Sequence, residues 1–246
     1  MSFARILADM KTVRILLLVL GCTFGIGAKT CPETANIPLP PPASSELLQR
    51  LASAHSQYQQ TPNDADAIIW LGRRTAYTGR YRDAINIFSE GIRKFPKDAR
   101  MYLHRGHRLI SIRCFDDAIK DLQKAVQLIE KPGNKDEVEP DGLPNARDIP
   151  TSTLHTNIWY HLGLAQYLTG DFDRARASFM RCYNTAKNDD MRIAAAHWAY
   201  MSGRRFAALS TTPKSTGDRI KADLQQLLEG AIKDDLDIIE TTITTH

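Results

Sequence analysis

The sequence predicts an all-α solenoid of stacked antiparallel helix pairs, and three observations predict it. Three stretches of 34 residues, 65–98, 99–132 and 156–189, align in frame, and the first two abut directly. Within them small and large apolar residues return at the same register positions, the mark of a repeated supersecondary unit. The composition, 43% hydrophobic and 24% charged, supplies one sizeable core and is too polar throughout for a multispan membrane protein.

The elements follow in chain order. Residues 1–28 read as a signal peptide, because Lys11 and Arg14 precede the apolar run ILLLVLG at 15–21. Extended to Ala28, the apolar stretch is about 14 residues, short of the roughly 20 that a spanning helix needs. Met10 is a second candidate start. Two processing readings stay open: cleavage near Gly27–Ala28, and lipidation at Cys22, where VLGC at 19–22 resembles a bacterial lipobox. Both make the chain exported, periplasmic or secreted, and membrane-anchored only if Cys22 is lipidated. Residues 29–43 form a proline-rich linker, since four of the five residues 38–42 are proline, which fixes φ and removes the amide donor.

The folded body is expected over 44–233. Leu47, Leu48, Leu51 and Tyr58 share one stripe of a helix over 44–60, which Pro62 ends, and this reads as a half-repeat cap. Residues 190–202 read as the first helix of a degenerate fourth unit, and 211–217 as a loop. Ile220, Leu224, Leu227, Leu228 and Ile232 give 218–233 the spacing of an amphipathic closing helix. Residues 234–246 are expected to fray. The insertion at 133–155 holds three prolines and two glycines and cannot be a helix extension; structureless loops of this length are often functional.

The repeats carry the argument. Position 8 is Gly72, Gly106 and Gly163; position 20 is Ala84, Ala118 and Ala175; position 27 is Gly91, Ala125 and Cys182. Position 17 is aromatic, as Tyr81, Phe115 and Phe172, and position 24 is large, as Phe88, Leu122 and Phe179. Small residues let two helices approach, and large ones fill the space between them. One such hairpin cannot bury its apolar face alone, so neighbours must stack.

This register resembles the tetratricopeptide (TPR) family over about 102 of the 246 residues. Trp159 sits at position 4, where the family favours tryptophan. Trp70 is displaced to position 6, and Arg113 stands where Gly79 and Gly170 supply the inter-helix glycine elsewhere. The resemblance, to exported bacterial members, implies three full repeats with half-repeat caps. It implies an exported scaffold that binds a protein or peptide partner through its concave groove. Carried over by register, the partner-binding residues are Arg73 and Tyr77 in the first repeat and Arg100 and His107 in the second. Tyr160 and Tyr167 follow in the third, and Trp198 in the degenerate unit. Such a surface suits an extended or helical peptide bearing an acidic group. Tyr167 and Trp198 could equally serve as core. Ile69 and Arg73 occupy the places where some members carry a lysine and asparagine set that clamps a chain-terminal carboxylate, so that mode is not expected.

Two alternatives remain: an envelope lipoprotein or assembly subunit anchored through Cys22, and a ligand site formed by the 133–155 loop. Nucleic acid is not an expected partner. Of the formal net charge of +4, Arg5, Lys11 and Arg14 against Asp9 supply +2, which leaves no basic stripe on the body. No nucleophile elbow, phosphate loop or zinc-protease motif is present, so no enzyme and no cofactor are expected. His104 and His107, with His155, His161 and His197, lack a clear ligand set, and no metal is expected. The four cysteines show no C-x-x-C spacing. Cys114 and Cys182 fall in or beside helices, where a buried free thiol is the expectation, and no disulfide pairing can be argued.

Overall fold

The computed structural model describes residues 31, 42–142, 144–145, 148–209 and the isolated helical positions 218, 222 and 225. The expected signal peptide with Cys22, almost all of the expected linker, the expected 211–217 loop, most of the expected 218–233 helix and the expected 234–246 tail lie outside the described residues.

Eight helices run through the described residues. They are α1 (Ser45–Gln60), α2 (Ala65–Tyr77), α3 (Tyr81–Lys94), α4 (Ala99–Ser111), α5 (Phe115–Ile129), α6 (Leu154–Leu168), α7 (Phe172–Thr185) and α8 (Asp189–Leu209). Pairs α2–α3, α4–α5 and α6–α7 are the three hairpins, flanked by α1 and α8. The first helices touch in sequence, α2 on α4, α4 on α6 and α6 on α8, whereas α3, α5 and α7 do not touch one another. The result is an all-α solenoid whose first helices form one contiguous layer. Only isolated bridges, and no strand, occur among the described residues.

Local chemistry sets the helix starts. Asp64 and Asp98 each accept the amide two residues on, at 2.9 Å, and Thr153 and Thr156 form a reciprocal capping box at the start of α6. These caps satisfy amides that the first helical turn leaves orphaned. The turns inside the hairpins need one left-handed residue each. Gly79 at φ 81° and Gly170 at φ 83° supply it in the first and third hairpins, while Arg113 adopts φ 62° in the second. For a residue with a Cβ that conformation costs about 1–2 kcal/mol. The turn is held regardless, by Arg113 N–H to Ile110 O at 2.9 Å and Cys114 N–H to Leu109 O at 2.8 Å.

The repeated register is a record of close approach. A Cβ on Gly72 would lie 2.4 Å from the Phe88 ring, one on Gly106 2.9 Å from Leu122 Cγ, and one on Gly163 2.8 Å from the Phe179 ring. Position 8 is therefore glycine because position 24 of the same hairpin lies against its backbone. Ala84, Ala118 and Ala175 are fully buried at the crossing, where any added methylene would overpack a filled interior.

The cysteines depart from expectation. Cys114 is no free thiol: its sulfur is bonded to Cys31, with Cα atoms 4.9 Å apart and a sequence separation of 83. The pairing was hidden because one partner lies in the spacer, where helical register says nothing. Cys182 is the free, buried one; its thiol donates to Thr156 O at 3.4 Å, and burial pushes its pKa up to about 12.

The insertion leaves α5 at Ile129 and returns at Leu154, two residues ahead of the repeat register. Glu139 N–H donates to Ser152 O at 3.0 Å and Leu154 N–H to Glu137 O at 2.8 Å, around the antiparallel bridge Val138–Thr153. Asn188 Nδ2 donates to Thr151 O at 3.0 Å, which ties the segment to the α7–α8 junction.

Candidate functional site

The insertion lies against the first-helix layer, on residues that the repeat register singles out. Arg73 is only 8% exposed. Its Nη1 is 2.9 Å from Glu139 Oε2, its Nε donates to Tyr77 Oη at 3.3 Å, and Asp141 stands 3.8 Å away. Arg74 Nη1 reaches Asp141 at 3.2 Å, and both guanidinium groups lie over the Trp70 ring at 5.0 and 4.7 Å. An acidic stretch, residues 137–141, extended up to Glu139 and turning at 139–142, is thus laid on α2 by two arginines and an indole. Charge-assisted contacts of this kind are the strong class of hydrogen bond, and burial keeps them from being screened.

The other residues singled out by register are placed as follows. Tyr77 is 37% exposed and marks the edge of the covered area. Arg100 is held by Asp98 and by Asp66, both at 2.7 Å, and the Asp98 hydrogen bond is the main cause of its raised pKa. His107 lies against His161 with ring centres 4.0 Å apart and planes tilted by 41°. Tyr160 meets Phe179 edge-on at 5.7 Å, Tyr167 meets Trp198 edge-on at 5.2 Å, and Trp198 stacks on Phe179 at 5.9 Å. These three aromatics join α6, α7 and α8, so they act as packing between the third hairpin and α8. Arg73, Tyr77 and His107 share one cavity, while Arg100 lines its neighbour on the other side of Arg73. Register alone did not reveal Glu139, Asp141 or Arg108, the insertion and α4 residues at the same place. Among the described residues no group of three histidine, cysteine or acidic side chains could hold a metal ion.

Three imidazoles sit behind the ion pairs. His104 stacks on Phe88 at 5.6 Å, and His161 Nδ1 donates to Asn157 O at 2.8 Å, which makes that nitrogen the protonated one of a neutral ring. Burial is the largest cause of depression for all three; it holds His104 and His107 well below the usual histidine range and His161 down to about 4. Their unfolded counterparts protonate first as pH falls. The stability they contribute is therefore present above about 6.5 and is lost on acidification towards 4. For His161 alone this predicts about 3 kcal/mol of stability lost over that window. Urea midpoints measured from pH 7 to pH 4.5 should fall steeply for the wild type and more shallowly for His161→Phe; parallel curves would rule the assignment out.

Family models described as tetratricopeptide repeat match residues 71–135 and 156–189. Over those residues the helix pairs match tetratricopeptide repeats, and the chain folds as an all-α solenoid of TPR-like antiparallel helix pairs. Among solved structures, the fold is similar to a MamA protein at 17% identity (77% of this chain, 85% of that one, TM-score 0.53). A second MamA structure matches at 18% identity (75% and 88%, TM-score 0.53). MamA from Desulfovibrio magneticus RS-1 matches at 14% (76% and 88%, TM-score 0.51). At such identities the likeness is one of fold. No curated protein matches the sequence.

Proposed function

We propose that the chain is an exported scaffold that holds an acidic protein or peptide segment on the face formed by α2, α4 and α6. One observation carries the reading: Arg73, a residue that the family register assigns to partner contact, already receives a carboxylate from an acidic stretch. The face is left uncovered at Tyr77 and Leu168, which are 37% and 51% exposed at the ends of α2 and α6. They share register position 13, so a partner running along the layer would meet both. Large apolar side chains left open on a face rimmed by charge are a usual mark of an interaction surface. Export is supported by the basic-then-apolar N-terminal segment and by the Cys31–Cys114 bond, since disulfides persist mainly in oxidising compartments.

The test is a photo-crosslinking amino acid placed at Tyr77 in the full chain and irradiated in the native cell. A discrete crosslinked product is expected in the extracytoplasmic fraction. It should disappear when Arg73→Glu and Arg100→Glu are added. A product of undiminished yield in that charge-reversed chain would refute binding at this face. A purely cytoplasmic product would refute export alone.

A further inference from the structure

The cavity under the insertion holds a positive charge with no acidic partner among the described residues. It measures about 300 Å³ and is lined from α2, α3, α4, the insertion and the first turn of α6. Arg73 and Arg108 line it together with two carboxylates, Glu139 and Asp141, and Arg74 reaches Asp141 from outside the lining. Arg73 and Arg74 take both carboxylates, at 2.9 and 3.2 Å. Arg108 is left with no acidic partner among the described residues; its guanidinium lies over the Tyr81 ring, 5.9 Å from the ring centre. The neighbouring imidazoles cannot supply the missing negative charge, because they are neutral or cationic at any pH. Burial, with Arg73 adding to it, holds the Arg108 guanidinium below its ordinary value, as expected of a cation with no counter-charge. The Ser152 hydroxyl and the Asn157 amide line the same cavity and make no side-chain hydrogen bond among the described residues.

We propose that this cavity is a binding site for a small monocarboxylate, with the acid group on Arg108 and donors from Ser152 and Asn157 beside it. A monoanion is the right charge, because Arg108 is the one cation lining the cavity that has no carboxylate partner among the described residues. A phosphate dianion would be repelled by Glu139 and Asp141, which border the same space. The walls are rings, of Phe88, Tyr77 and the two α4 histidines, so a flat aromatic body fits better than a polar one. The volume admits a ligand on the order of ten non-hydrogen atoms, near the lower end of ordinary ligand pockets. The site adjoins the partner surface proposed above and shares Arg73 and Tyr77 with it, but its anion-binding group, Arg108, plays no part in that reading.

Benzoate is the probe, with benzamide as its uncharged isostere and inorganic phosphate as the dianion. Titration calorimetry on the full chain should give sub-millimolar benzoate binding, with both controls weaker by about tenfold or more. Arg108→Met should lose at least about tenfold in benzoate affinity, yet melt at the same temperature or higher, because it removes an uncompensated charge from a partly desolvated place. Arg108→Lys, which keeps the charge but not the planar fork, should fall between the two. The proposal is overturned if benzoate fails to bind at millimolar concentration, or binds no better than benzamide. Equal affinity in Arg108→Met would also overturn it. A large drop in melting temperature for both Arg108 variants, with benzoate affinity unchanged in Arg108→Lys, would make Arg108 a structural residue and overturn it as well. Tighter binding of a blocked dipeptide acid than of benzoate would move the carboxylate from a small free acid to a chain end, and so would count against the proposal.

Discussion

Replacing Cys31 with serine is expected to lower the free energy of unfolding by about 4–5 kcal/mol. The bond joins residues 83 apart in sequence, and closing a loop of that length in the unfolded chain removes about 4.5 kcal/mol of chain entropy. The closed loop contains α1 to α4, so the loss should fall on the first two hairpins more than on α6–α8. Solenoid units couple only to their neighbours, so the two halves can report separately. Urea unfolding followed by a probe at Trp70 should shift to lower denaturant in Cys31→Ser, and a probe at Trp198 should shift less. The double variant Cys31→Ser/Cys114→Ser separates the cross-link from the cost of leaving a buried thiol at the start of α5. Wild-type protein under reductant should follow the variants. A midpoint indifferent to both substitution and reductant would show that the bond constrains nothing.

The hairpins were legible because their packing is written in residue size at fixed spacing. Gly72 faces Phe88, Gly106 faces Leu122 and Gly163 faces Phe179, each so closely that a Cβ would clash. Such contacts recur with the helix period, so three copies in one chain announce the architecture through residue size alone. Even a departure was informative: Arg113 in place of a turn glycine does take the left-handed conformation, because the surrounding turn bonds leave it no other. What lacked a period was not legible. Cys31 pairs across 83 residues from a segment with no register.

The site was half legible for the same reason. Arg73, Tyr77 and His107 fall at register positions, so the repeat points to them directly. Their partners do not. The prolines and glycines of 133–155 say that the segment is not helical, but they do not say that Glu139 will be 6% exposed beneath it. Nor does anything local distinguish Arg108, whose significance lies in the carboxylate it fails to meet. Tyr167 on α6 and Trp198 on α8 stand at register positions that serve core and groove alike, and only the placement of α8 against α6 and α7 assigns them to packing.

Glu139→Ala is expected to cost about 3–5 kcal/mol at the insertion, because it strands the Arg73 guanidinium in a place from which water is largely excluded. Arg73→Met should cost a similar amount by stranding the carboxylate instead. The double variant should recover much of the loss, since a buried pair repays little of its own desolvation. The protein has a cheaper escape than global unfolding, however. Lifting residues 136–152 off α2 would expose either stranded charge to water, and the measured cost cannot exceed the free energy of that local opening. Hydrogen exchange therefore decides the matter better than a melt. In either single variant the amides of Glu139 and Leu154, bonded to Ser152 O and Glu137 O in the native state, should exchange many-fold faster. The interior amides of α5 and α7 should be unchanged. If the insertion amides keep their protection in both single variants, the Arg73–Glu139 pair is not what holds the insertion down. The bonds from Asn188 to the insertion would then be the anchor. If all amides lose protection together, the insertion is part of the cooperative core, and no partner could reach the covered part of α2 without unfolding the solenoid.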